Sequence, residues 1–156
     1  MRFVLAVVIM TVAGGMIWNL FGSGQSVART VDIATADIVA GERIYSEYCA
    51  ACHGANLEGQ GDWRSPGPDG RLPAPPHDET GHTWHHGDQL LFDYTKLGGT
   101  ALMAQRGVEF DSGMPGFEDQ LTDAEIYDVL AFIKSTWSDR IQTVQAERTQ
   151  AEQQQD

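Results

Sequence analysis

Cysteine is almost missing from this chain: Cys49 and Cys52 are the only two in 156 residues. So few thiols exclude a framework of several disulfides, and with no second cysteine pair a structural zinc site lacks half its usual ligands. Basic residues are also scarce, ten Lys and Arg against 22 Asp and Glu, which leaves a formal charge of −12. Those ten are scattered. Polyanion binding needs clustered cations, so the composition argues against nucleic acid as a partner and favours a basic protein surface. Proline is confined, with five of its six residues between Gly54 and Gly87 and the sixth at Pro115. No strand–helix–strand alternation surrounds the cysteines, which argues against a thioredoxin-like redox pair. At this length one globular domain is expected.

Both cysteines fall inside Cys49-Ala50-Ala51-Cys52-His53, followed at once by Gly54. Two thiols three positions apart with a histidine behind the second form the attachment pattern for a c-type haem. One helical turn aims both sulfurs at the two haem vinyl groups, and the next side chain meets the iron. A disulfide or a zinc site is the residual alternative. His77, His82, His85 and His86 follow in a Pro/Gly-rich loop without a regular ligand period, and they read first as solvated or propionate-side residues.

The first twenty residues stand apart. From Phe3 to Phe21 no residue is charged, and Arg2 supplies the positive flank. That run approaches the ~20 residues needed to cross a bilayer and exceeds the roughly 7–15 of a signal-peptide core. Residues 1–22 are therefore expected to form a hydrophobic helix, either a retained anchor or an export signal cleaved near Ala28, where Ser26-Val27-Ala28 offers small residues. Residues 23–36 are small and polar, and read as a flexible linker.

A helix is expected from about Asp37, capped by Thr35 or Asp37, with Ile38, Gly41, Ile44, Tyr45 and Tyr48 forming a stripe that runs into the cysteine motif. Gly41 in mid-helix costs up to ~1 kcal/mol relative to Ala, which a close helix crossing would offset. The stretch from Gly54 to Gly87 has no helical period, and a loop that long needs an apolar surface to fold against; a haem supplies one. Within it Trp63, Arg64, Arg71 and Trp84 carry N–H donors suited to haem propionates, with Trp84 the leading candidate. The prolines of Pro73-Ala74-Pro75-Pro76 lack N–H groups but keep their carbonyls. One of these, with Pro75 the choice, can accept from the second ring nitrogen of His53 and fix its tautomer. Asp88 then reads as the N-cap of a short helix ended by Gly98-Gly99, and one more turn follows over Thr100 to Arg106.

Asp111-Ser112-Gly113-Met114-Pro115-Gly116-Phe117 is the second stretch that carries chemistry. Pro115 disfavours helix at Met114, so this methionine sits on an extended strap that can present sulfur to the open face of an iron. Met103 fits a core role better, and Met10 and Met16 lie in the apolar N-terminal run. Thr122-Asp123-Ala124-Glu125 is a capping box that starts the last helix, with Ile126, Val129, Leu130, Ile133 and Trp137 on its buried face and Tyr127 a possible crossing partner for Gly41 and Tyr45. That helix is expected to run past Trp137 and fray into a polar, solvated extension over residues 139–156.

These parts together resemble the class I cytochromes c over residues 37–138. The resemblance implies an all-α haem domain in which the first and last helices cross, one covalent haem c on Cys49 and Cys52, and axial ligation by His53 and Met114. It implies no catalytic residue and a one-electron carrier, not an enzyme. Attachment of haem c occurs on the outer side of an energy-transducing membrane, so the expected location is the periplasmic side of a bacterial inner membrane, anchored by the N-terminal segment or soluble after its removal. The acidic surface departs from the basic mitochondrial type, so redox partners with a basic docking surface are expected in place of that protein's own. The rival functions are a haem-bearing subunit of a larger dehydrogenase or oxidase, and a haem enzyme or gas sensor with an open iron position.

Overall fold

In the computed structural model residues 33–155 are described, and among them there are helices and loops but no strand. The expected hydrophobic helix over residues 1–22 lies outside the described residues. Among those described, no helix is long and apolar enough to cross a membrane.

After a single 3-10 turn at Ile33–Thr35, Asp37 caps helix α1, Ile38–Ile44. Its carboxylate accepts from the N–H groups of Val39 (2.9 Å) and Ala40 (3.0 Å), two of the donors a helix start leaves unpaired. The helix then widens to i→i+5 bonding over Tyr45–Cys49 and closes with α2, Ala50–His53. Such wide turns are uncommon and concentrate at functional sites. Here the turn ends on Cys49, the first cysteine, and leads into the helical turn that carries Cys52 and His53, a feature that the apolar spacing did not foretell.

The crossing inferred from Gly41 is present. A side chain there would run into the backbone carbonyl of Asp128 and the Cβ of Phe132, so only glycine lets α1 approach α5, Asp123–Ser135, this closely. Asp128 also accepts from the Asp37 N–H at 2.7 Å. The aromatic partner is Phe132, whose ring lies 5.5 Å from that of Tyr45. Tyr127, expected in that role, packs instead on Phe92 at 4.6 Å. Ile38 also leaves the expected stripe, being 47% exposed.

Two apolar clusters form the core. Tyr45, Leu57, Val129, Ile133, Trp137 and Ile141 make one. Phe92, Leu121, Ile126 and Leu130 make the other, where α5 meets α3, Asp88–Leu97. A shorter helix, α4, spans Gly99–Gln105. Gly98 between them has φ 79°, and a side chain on it would overlap the backbone of Pro115 and Gly116.

Two differences from the expected helices share one cause. Asp88 is the first residue of α3, not its cap; Gly87 occupies the cap without a side-chain bond. The chain also breaks after Ser135, and a separate helix α6 runs over Asp139–Gln153. The polar tail is thus folded back on the domain. Glu152 accepts from the N–H groups of Gln89 and Leu90 (both 3.0 Å), and Thr149 accepts from that of Asp88 (3.1 Å), so α6 supplies the caps that Gly87 cannot. Asp88 is freed to receive Lys134 at 2.7 Å and the Gln145 amide at 2.7 Å.

Candidate functional site

The long loop after His53 is organised by backbone pairing. Gly59 N–H donates to the His53 carbonyl (2.7 Å), Gln60 N–H to Ala74 (2.9 Å), and His77 N–H to Leu57 (2.8 Å). The Tyr45 hydroxyl donates to the Gly54 carbonyl at 2.8 Å, and the Trp137 indole donates to that of His77 at 2.7 Å. Trp137 therefore both fills the core and holds the loop, a second role that its apolar spacing could not reveal.

These pairings bring Pro75 to His53. The Pro75 carbonyl lies 2.8 Å from His53 Nδ1, and since a carbonyl only accepts, Nδ1 carries the proton and Nε2 keeps its lone pair. Burial lowers the His53 pKa, and the Pro75 bond opposes that in part. A neutral imidazole with a fixed tautomer is what an iron ligand requires. His77 stacks on His53 at 4.0 Å with 23° between the rings, and its Nδ1 is 2.8 Å from Thr83 Oγ1. Burial, with His53 and His82 nearby, pushes the His77 pKa well down. No sequence signal marked His77 as the neighbour of His53.

Cys49 and Cys52 are not joined to each other; Cys49 is half-buried and Cys52 exposed. Burial, with Cys52 adding, pushes the Cys49 thiol up to about 11, so it stands as a neutral thiol near pH 7. Among the described residues no group of three or more His, Cys, Asp or Glu is arranged to hold a metal ion. Two unpaired thiols a turn apart and one oriented imidazole fit a haem bonded through carbon and ligated by nitrogen.

The methionine strap is fastened to the corner between α3 and α4. Ser112 N–H donates to Thr100 Oγ1 (2.9 Å), Met114 N–H to Ser112 Oγ (3.1 Å), and Gly99 N–H to the Met114 carbonyl (3.3 Å). Met114 is half-buried and outside any helix, whereas Met103 lies within α4.

The expected propionate donors are differently engaged. Trp84 donates its indole N–H to the Glu79 carbonyl at 3.3 Å and stacks on His85 at 3.7 Å. The Arg64 guanidinium lies 3.9 Å over the Trp63 ring, which stacks on His82 at 5.2 Å. Arg71 pairs with Asp111 at 3.0 Å. Trp84 has a single N–H, so serving a propionate would require it to leave Glu79, whereas the fork on Asp111 uses only part of the Arg71 guanidinium's set of donors.

Comparison with curated proteins and with solved structures gave no significant match. The family model for cytochrome c matches residues 38–137. That span runs from the first residue of α1 to Trp137, taking in the helix crossing, the cysteine motif with its oriented histidine, and the strap. The chain accordingly belongs to the cytochrome c family, and its prosthetic group is a covalently bound c-type haem.

Proposed function

We propose that this domain is a single-electron carrier whose iron is held between His53 and Met114. The observation that carries the reading is the 2.8 Å contact between His53 Nδ1 and the Pro75 carbonyl, which aims Nε2 from the helical turn that bears both thiols. The bound haem supplies a one-electron change of iron oxidation state. The chain's own groups set its character. Pro75 holds the imidazole correctly turned, burial favours its neutral form, and the Met114 thioether, a soft ligand, would favour the ferrous state and raise the potential. With His53 and Met114 both holding the iron, no position would remain for a substrate, which would distinguish a carrier from an enzyme or gas sensor.

Docking follows from charge. Between Asp111 and Asp128 there are six acidic residues and no Lys or Arg, next in sequence to the strap. That field would steer a redox partner with a basic face. The uncharged run from Phe3 to Phe21 would anchor the domain on the periplasmic side of a bacterial inner membrane, with residues 23–36 as tether. Mass measurement of the mature protein extracted in detergent tests both points: the expected value is the full chain plus one haem. A chain beginning after Ala28 would refute the anchor, and a mass without haem would refute the site.

A further inference from the structure

One contact joins the loop that holds His53 to the strap that carries Met114. Arg71 lies four residues before Pro75, and Asp111 three residues before Met114. Arg71 Nε donates to Asp111 Oδ2 at 3.0 Å, and its terminal nitrogen is 3.0 Å from Oδ1, a two-pronged pairing across 40 residues of chain. Arg71 is itself seated in a turn: its N–H donates to Asp69 Oδ1 (3.1 Å), and its carbonyl accepts from Gly67 N–H (2.8 Å). Its side chain also lies along the strap, with Cδ 4.0 Å from the place a Gly113 side chain would begin. The strap's bonds to Thr100 and Gly99 fix it to the α3–α4 corner; the Arg71 fork adds the tie to the loop on the histidine side.

We propose that Arg71 is a positioning residue for the sixth ligand, its fork on Asp111 keeping the strap closed so that Met114 stays on the iron. This rests on the reading of Met114 as that ligand. Both side chains are substantially exposed, 48% and 65%, and exposed ion pairs add little to global stability. Release of a methionine, however, needs only the strap to open, a local event with a far smaller free energy than unfolding. A modest contact that is invisible in a melting curve is therefore visible in a ligand-exchange equilibrium.

The test is imidazole titration of the oxidised holoprotein, followed through loss of the Met-to-iron charge-transfer band. Arg71→Gln and Asp111→Asn should each bind imidazole about two- to fivefold more tightly than the native protein. The double variant should bind no more tightly than either single one, because both remove the same contact. Native affinity in the single variants, or additive effects in the double one, would overturn the proposal while leaving Met114 as ligand. A native protein without the charge-transfer band would overturn the ligand assignment, and this proposal with it.

Discussion

At the residue scale, His53 depends on an atom that substitution at Pro75 does not remove. The backbone carbonyl survives in Pro75→Ala, so that variant should keep the optical spectrum of the native haem, whereas His53→Ala should lose the low-spin spectrum altogether. The cysteines make a sharper prediction. In the mature protein both sulfurs are consumed by haem attachment, so alkylation of the denatured protein should label neither Cys49 nor Cys52, as read by mass spectrometry. One labelled thiol would mean a single thioether. The five-residue motif was legible because its chemistry is set by spacing along one turn, and the proline carbonyl because proline has nothing to donate. The Trp84 contact with the Glu79 carbonyl was not, since where an indole N–H points depends on how the loop closes. His77 was hidden for the same reason: its place on His53 comes from pairing between Leu57 and His77, residues that no local rule connects.

At the scale of elements, the α1–α5 crossing stands on Gly41. Gly41→Ala places a methyl group against the Asp128 carbonyl and Phe132, and should cost about 1–3 kcal/mol or more in chemical denaturation even though alanine favours helix. The start of α5 is a full capping box: Glu125 N–H donates to Thr122 Oγ1, and Glu125 Oε2 accepts from Thr122 N–H at 2.8 Å. Thr122→Ala should cost about 1 kcal/mol. The same bonds from Thr122 lower the Glu125 pKa. A depressed carboxyl pKa contributes stability above the unfolded value of about 4.3, and that stability disappears as pH falls through the folded value. The stability gap between native protein and Glu125→Gln should therefore be widest near neutral pH and should narrow below about pH 4. The capping box was legible because it is four residues of local chemistry. The break after Ser135 was not, because Ile133, Trp137 and Ile141 keep a four-residue apolar step straight through it, with neither Gly nor Pro to mark the end.

At the scale of the whole molecule, α6 closes the domain through polar contacts. Lys134, Asp88 and Gln145 bring α5, α3 and α6 together, with side-chain exposures of 18% and 11% for the ion pair. Removing one partner of a buried pair strands the other, so Lys134→Met should lower stability by about 3 kcal/mol in denaturant titration. Within α6 the two buried residues are Ile141 and a glutamine, Gln145, so apolar spacing alone could not show that the tail docks. Its docking could be found only from the α3 donors it satisfies. The charge of −12 acts at the same scale: electron exchange with a basic partner should slow as ionic strength rises, and stopped-flow rates insensitive to salt would rule out steering. The carrier reading as a whole requires an iron closed on both faces. The most direct test compares the native protein with Met114→Ala, recording the oxidised spectrum and then adding CO to the reduced form. With His53 and Met114 as ligands, the native protein shows the charge-transfer band and leaves CO unbound, while the variant loses the band and binds CO rapidly; identical behaviour in the two proteins would contradict the assignment.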